Sequence, residues 1–261
     1  MNFSVLIYNT LFNKAFLHLG PLIDQYQPDI LCLQEINTDN NNLKHLETKG
    51  YSLADYSNSF IRLARIYGVA TYYNPQKFRF IKSDSLTISS NLTELFFTLF
   101  QTLAGVNKPK TVLRTDFIHK TTGKKLTVCN SHLIVVASNA LRVNHINKAL
   151  KSLDIDKKIP LIIGGDFNYL PYRRKKLENL MKKYNLVEAT KNIRQTMEFT
   201  PTGQKEDWTP LQLSVMKLLD RLFSHKMKND YLFYRGVKLK KTERIETRLS
   251  DHYPIISTFK I

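Results

Sequence analysis

Short apolar runs, each closed by a polar cluster, set the strongest constraint on how this chain folds. They are Phe3-Ser4-Val5-Leu6-Ile7-Tyr8 before Asn9, Asp29-Ile30-Leu31-Cys32-Leu33 before Gln34-Glu35, Leu126-Thr127-Val128-Cys129 before Asn130-Ser131-His132, and Pro160-Leu161-Ile162-Ile163 before Gly165-Asp166-Phe167-Asn168. Runs of this length, rich in β-branched and large aliphatic residues and bounded by turn formers, have the pattern of buried strands. Acids and amides are costly to bury without partners, so their repeated place at strand ends predicts a rim where a sheet opens to solvent. Leu249-Ser250-Asp251-His252-Tyr253-Pro254 adds an acid beside an imidazole after a basic stretch. Several carboxylates, amides and two histidines gathered in one place have the oxygen-rich chemistry that binds Mg²⁺ and works on phosphate esters.

The intervening sequence reads as further strands and outer helices. Leu17 to Gln27 is amphipathic and stops at Pro28, and Asn42 to Lys49 is a short helical stretch ended by Gly50. Gly68 to Tyr73 and Phe78 to Lys82 read as strands around Asn74-Pro75, and Val112 to His119 with Lys125 to Asn130 as a hairpin through Thr121-Thr122-Gly123. Ala140 to Leu153 and Lys175 to Tyr184 are predicted outer helices. Two stretches, Asn91 to Val106 with its Phe96-Phe97-Phe100 aromatics and Trp208 to Phe223, fall outside this pattern. Each reads as an added helix over a sheet face or as an aromatic segment beside the site, stacking on bases or entering a lipid surface. Trp208 follows Lys205-Glu206-Asp207 in a polar loop.

Length bounds the organisation. A chain of 261 residues without a linker, low-complexity tract or repeat is expected to be one domain, residues 1–261. The first strand begins within a few residues, with no basic n-region or cleavage site, which predicts no signal peptide. No uninterrupted apolar run reaches the ~18 residues a spanning helix needs. Cys32 and Cys129 sit inside predicted strands and read as reduced core residues. A cytoplasmic monomer is expected.

Charge is uneven. The formal net charge is +17, yet residues 1–106 hold 8 basic and 8 acidic residues, whereas residues 107–261 hold 31 and 14. Lys108-Pro109-Lys110, Arg173-Arg174-Lys175-Lys176, Lys182-Lys183 and Lys238-Leu239-Lys240-Lys241 carry much of the excess. Placed on the rim with the acids, they would draw in a polyanion and hold it by counterion release; elsewhere they are a solubilising surface.

The order Tyr8-Asn9, Leu33-Gln34-Glu35, Asn130-Ser131-His132-Leu133, Gly165-Asp166-Phe167-Asn168, Asn229-Asp230-Tyr231 and Ser250-Asp251-His252 resembles the endonuclease/exonuclease/phosphatase superfamily, over residues 3 to 261. That resemblance implies an α/β fold, a four-layer sandwich of two mixed β-sheets face to face with helices outside. It implies Mg²⁺, with Mn²⁺ as a substitute, held by Glu35 with Asn9 as a ligand or supporting amide and Asp251 as a further carboxylate. His252 would contact the scissile phosphate or act as general acid or base, oriented by Asp230. Asp166 would orient or deprotonate the attacking water, and Asn168 would hold a phosphate oxygen. His132 with Asn130 matches the Asn-x-His pattern of DNase-like, tyrosyl-phosphodiesterase-like and sphingomyelinase-like members and would serve near the leaving group.

Each role has a plainer rival. An Asp or Asn at a strand end commonly caps a turn, as Asn9 or Asn168 would alone. Asp220 in Leu219-Asp220-Arg221 competes with Asp230, which is preferred because Tyr231-Leu232-Phe233-Tyr234 makes the cleaner strand. Arg114 reaches phosphate or pairs with an acid, while Arg173 and Arg174 are expected on substrate. The resemblance leaves the substrate open. A DNA nuclease or repair phosphodiesterase suits the basic C-terminal part; a phospholipid or inositol-phosphate phosphodiesterase suits the aromatic segment; a binding module without catalysis is the third alternative.

Overall fold

Alternation along each apolar run buries both faces of its strand. The computed structural model describes residues 1–62, 64–87, 111–134, 137–198 and 227–261, together with Ser214 and Arg221. In chain order the elements are β1 (Asn2–Asn9), α1 (Gly20–Tyr26), β2 (Ile30–Asn37), α2 (Asn40–Leu43), β3 (Ser52–Arg62), β4 (Arg65–Tyr73), β5 (Phe78–Thr87), β6 (Thr111–His119), β7 (Lys125–His132), α3 (Asn139–Ser152), β8 (Leu161–Asp166), α4 (Arg174–Lys183), β9 (Val187–Glu188), β10 (Asp230–Arg235), β11 (Lys238–Arg244) and β12 (Ile255–Lys260). Phe16–His18 and His45–Lys49 are 3₁₀ turns.

Two six-stranded mixed sheets form, in the orders β11-β12-β1-β2-β4-β3 and β5-β6-β7-β8-β10-β9. Phe3, Val5, Ile7, Ile30, Cys32, Phe117, Leu126, Val128, Ile162, Leu232 and Phe259 fill the layer between them. Leu6, Tyr8, Leu31 and Leu33 face outward onto Phe16, Leu19, Leu22 and Ile23. On the other flank Ile163, Tyr231 and Phe233 meet Ile146, Leu150, Leu177 and Leu180 of α3 and α4. The result is the four-layer α/β sandwich, and burying aliphatic and aromatic area on both sides of each sheet is its main stabilisation.

The topology places the site. β1 runs parallel to β2 and β7 parallel to β8, so Asn9, Glu35, His132 and Asp166 lie at or near carboxyl ends of central strands. β10 runs antiparallel to β8 with Asp230 opposite Asp166, and β12 antiparallel to β1 with Ile255 opposite Ile7. Antiparallel pairing thus brings in Asp230 at the start of β10, and the Ser250-Asp251-His252 loop just before β12, at the same rim.

Several local expectations are corrected. The helix read over Leu17 to Gln27 begins at Gly20 with Pro21 in its first turn, where a missing N–H costs nothing. The stretch Asn42 to Lys49 splits between α2 and a 3₁₀ turn, closed by left-handed Gly50. The strands around Asn74-Pro75 belong to different sheets, so that turn is a crossover. Cys32 and Cys129 are buried free thiols, and burial pushes Cys129 up to about 12. The segment 91–106, Lys108-Pro109-Lys110, Trp208 and Asp220 lie outside the described residues, as does the segment 208–223 apart from Ser214 and Arg221. Among the described residues no helix is long and apolar enough to cross a membrane.

Candidate active site

Glu35 owes its direction to a break in pairing. The β2–β4 register shifts between Gln34 and Ile36, a bulge, and Glu35 takes a left-handed φ of 56° that a non-glycine residue holds only when its surroundings fix it. Thr10 Oγ1 donates to the carbonyl of Gln34 at 3.0 Å. The Glu35 carboxylate receives the Phe12 N–H on Oε2 at 3.3 Å and the Asn9 Nδ2 on Oε1 at 3.3 Å. Asp166 comes from the other sheet to the same amide, with Asn9 Nδ2 3.0 Å from its Oδ2. Close approach of β7 and β8 permits this: Gly165 has φ 129°, and a Cβ there would lie 2.2 Å from the Ser131 carbonyl oxygen.

The two histidines flank Asp166. His132 Nε2 lies 3.6 Å from Glu35 Oε1 and 3.7 Å from Asp166 Oδ2. His252 Nε2 lies 3.8 Å from Asp166 Oδ2, and its Nδ1 is hydrogen-bonded to Asp230 at 2.8 Å. The His252 loop is anchored through Ser250, whose hydroxyl donates to the Asn9 carbonyl at 2.8 Å and accepts the His252 N–H at 3.1 Å. Asn168, at φ 49°, donates its backbone N–H to Asp166 Oδ1 at 2.8 Å and one side-chain N–H to the Leu133 carbonyl at 3.0 Å. Glu35, His132, Asp166, Asp230, Asp251 and His252 are all buried.

Burial decides the protonation chemistry. It raises the Asp166 carboxyl, with Asp230 adding to the effect while His252, His132 and the Asn168 N–H oppose it. His252 also suffers burial, which disfavours its cation, but Asp230 and Asp166 outweigh that and hold its pKa well above the ordinary histidine value. Arg142, fully buried behind Asp166, is lowered to about 10 by burial. Among the described residues, Glu35, Asp166, Asp230 and Asp251 gather four buried carboxylates at one rim against His132, His252 and Arg142. A divalent cation with oxygen ligands fits that imbalance.

Some sequence expectations change. Asn9 directs its Nδ2 at the carboxylates, while its Oδ1 accepts the Leu11 N–H at 3.0 Å, so its amide holds the two acids together and one lone pair of its oxygen is taken by the backbone. Asn130, expected on substrate, is wholly occupied between the sheets: its Oδ1 accepts from Gln34 Nε2 at 2.7 Å and its Nδ2 donates to the Leu33 and Ala70 carbonyls at 3.0 and 2.9 Å. Arg114 is committed to Asp116 and to the Leu153 carbonyl, away from the rim. Arg174 is committed to Glu178 and Glu188, at 2.9 and 2.6 Å. Arg173 is exposed at the head of α4. Asp166, Asp230 and His252 bring potential ligand atoms within 4.8 Å of one another. The short His252 Nδ1 to Asp230 bond makes this group a hydrogen-bonded relay more than a cation cage. The reading from sequence passed over Thr10 and named Ser250 only within its motif, giving neither a role, although both fix the strand ends; the hydroxyls adjoining Asn9 and Asp251 were the available signal.

Comparison with known proteins agrees with this geometry. The model of the Endonuclease/Exonuclease/phosphatase family matches residues 6–252. A UPF0294 protein of Vibrio parahaemolyticus is 25% identical over 154 residues, 59% of this chain and 46% of that protein. The 2′,5′-phosphodiesterase 12 of Rattus norvegicus is 27% identical over 171 residues, 56% of this chain and 26% of that protein. The matched region thus spans about half or less of these relatives' length. Among solved structures, the human nocturnin catalytic domain with bound sulfate superimposes with a TM-score of 0.71 at 18% identity, covering 99% of this chain and 94% of that one. D. rerio TDP2 with a single-strand DNA product superimposes at 0.67 and 14% identity, covering 100% and 99%. At such identities the likeness is one of fold.

Proposed function

The chain belongs to the Endonuclease/Exonuclease/phosphatase family, whose members hydrolyse phosphate esters, and on that premise we propose that it is a divalent-metal-dependent phosphodiesterase acting on nucleic acid, DNA foremost. The observation that carries the reading is the meeting of Glu35, His132, Asp166, Asp230, Asp251 and His252 at one rim, two histidines flanking a buried carboxylate. The excess of 31 basic over 14 acidic residues in 107–261 supports a polyanionic substrate. So does the single-strand DNA product held by a protein of the same fold.

Glu35 and Asp251 would hold the cation, Mg²⁺ or Mn²⁺. Bound there, it supplies Lewis-acid stabilisation of charge on a phosphoryl oxygen. Asp166, raised by burial and fixed by Asn9 and the Asn168 N–H, orients the attacking water and takes its proton. His252, kept protonated by Asp230, meets the scissile phosphate through Nε2. His132, on the other side of Asp166, stands toward the leaving group. The second side-chain N–H of Asn168 completes the charge stabilisation.

The test is a cleavage panel in Mg²⁺ with plasmid, single-stranded and duplex oligonucleotides, a 5′-tyrosyl oligonucleotide and sphingomyelin liposomes. Wild type is expected to cleave a DNA substrate, to stop in EDTA and to recover with Mg²⁺, while Asp166→Asn is inert. A variant keeping more than a few per cent of the rate overturns the role of Asp166. Cleavage of liposomes alone overturns the nucleic-acid substrate.

A further inference from the structure

Asp230 and His252 reach their 2.8 Å contact from different parts of the fold. Asp230 opens β10 of the second sheet, whereas His252 sits in the loop before β12 of the first. A hydrogen bond of that length between two sheets is kept only if the backbone on each side is itself held in place.

The strip 196–198 lies against both sides. Toward β10, the Thr196 N–H donates to the Met227 carbonyl at 2.9 Å, and the Thr196 hydroxyl oxygen accepts the N–H groups of Asn229 and Asp230, each at 3.0 Å. Toward the loop, the Thr196 carbonyl accepts the Tyr253 N–H at 2.8 Å. Met197 pairs with His252 in an antiparallel bridge, and the Glu198 N–H donates to the Asp251 carbonyl at 2.7 Å. The Asn229 carbonyl in turn accepts the Phe167 N–H at 2.9 Å, one residue from Asp166.

Thr196 is fully buried. A hydroxyl oxygen has two lone pairs, and here both are taken by consecutive N–H groups at the start of the strand that carries Asp230. The β-branch confines χ1, so the oxygen stays where those two groups need it. A cap with a purely local role would serve β10 alone. Thr196 serves both partners, holding Asp230 through its side chain and the residue after His252 through its carbonyl.

We propose that Thr196 is a positioning residue of the hydrolytic site, which sets the approach of Asp230 to His252 Nδ1 and so fixes the ring at the scissile phosphate. The proposal rests on the reading of Asp230 and His252 as parts of that site. Because Thr196 acts through the orientation of one ring, its loss is expected in kcat and not in KM.

The test compares wild type with Thr196→Val, which keeps the shape and removes the oxygen, and with Thr196→Ser, which keeps the oxygen. Two quantities are read. One is kcat and KM on an oligonucleotide that wild type cleaves in Mg²⁺; the other is the downfield proton resonance of the His252 Nδ1–H, assigned by its loss in His252→Gln. Thr196→Val is expected to lower kcat by about tenfold to a hundredfold with KM little changed, and to shift or abolish the resonance. Thr196→Ser is expected to restore both. A wild-type kcat in Thr196→Val overturns the proposal, as does a lowered kcat with the resonance in its wild-type place. If Thr196→Val fails to fold, Thr196→Ser decides: a folded serine variant without the resonance overturns the role of the hydroxyl, and one with wild-type rate and resonance supports it. A wild type that cleaves no phosphate ester, with the resonance lost in Thr196→Val and kept in Thr196→Ser, would overturn the hydrolytic reading and leave the positioning of His252 by Thr196 standing.

Discussion

His252 Nδ1 lies 2.8 Å from Asp230 Oδ2, and the other nitrogen of the same ring lies 3.8 Å from Asp166 Oδ2. The ring is therefore held between two carboxylates from neighbouring strands of the second sheet. One fixes its tautomer and its charge; the other stands across the space where substrate is proposed to lie.

Asp230→Asn keeps the shape of that contact and removes its charge. The expected result is a fall in kcat of about a hundredfold or more, with an unchanged far-UV spectrum. Without Asp230 the His252 pKa drops, so any residual activity loses its alkaline limb at lower pH than wild type. A pH–rate profile in which the limb does not move would remove His252 from the chemistry.

Asn130→Ala strips a buried donor set from between the sheets. The Leu33 and Ala70 carbonyls lose their partner, as does one N–H of Gln34. A loss of about 2–4 kcal/mol in urea denaturation is expected, since buried polar groups left unpaired are costly. A change within error would mean that water replaces the amide at no cost.

Gly165→Ala should fail more severely. The new Cβ would meet the Ser131 carbonyl oxygen at 2.2 Å, and the φ of 129° is hostile to any side chain. The strands carrying His132 and Asp166 must part, so destabilisation of about 3 kcal/mol or more is expected, read as a lowered Tm.

Glu188 makes the pH prediction. Its carboxylate takes Lys228 Nζ and Arg174 NH2, each at 2.6 Å. Burial works to raise this carboxyl, but Lys228 and then Arg174 depress it below the usual glutamate value. A depressed folded pKa gives stability that is complete above the unfolded value, about 4.3, and is lost as pH falls through the lower folded value. Glu188→Gln is expected to cost about 3–5 kcal/mol near neutrality, because it leaves Lys228 buried without its counter-charge. In urea titrations the gap between variant and wild type should narrow steadily below about pH 4.3; a constant gap would show that the ion pair carries no linkage.

Strands buried on both faces were legible because Leu, Ile and Val run together there, as in Pro160 to Ile163. β3 and β11 were not, since Ser52–Arg62 and Lys238–Arg244 lie at sheet edges and carry many polar or charged residues without a long apolar run. The strand-end acids and histidines were visible as types and positions. What each polar atom binds was not, because it depends on strands far apart in sequence: Asn130 meets Gln34 across 96 residues, and Asn9 meets Asp166 across 157. Arg114 read equally well as a phosphate ligand or an acid partner, and Arg174 as a substrate contact, until Asp116 and Glu188 were placed beside them.

The neighbours of β1 have a consequence for biosynthesis. β1 is sandwiched between β2 and β12, and the Asn9 carbonyl is gripped by Ser250 across 241 residues. During translation β1 therefore waits for one of its two partners until Ser250, 241 residues after Asn9, and β12 have left the ribosome. A chain interrupted just after β8 has Asn9, Glu35 and Asp166 but lacks Asp230, Asp251 and His252, so the proposed centre stays incomplete until β10 and β12 are delivered.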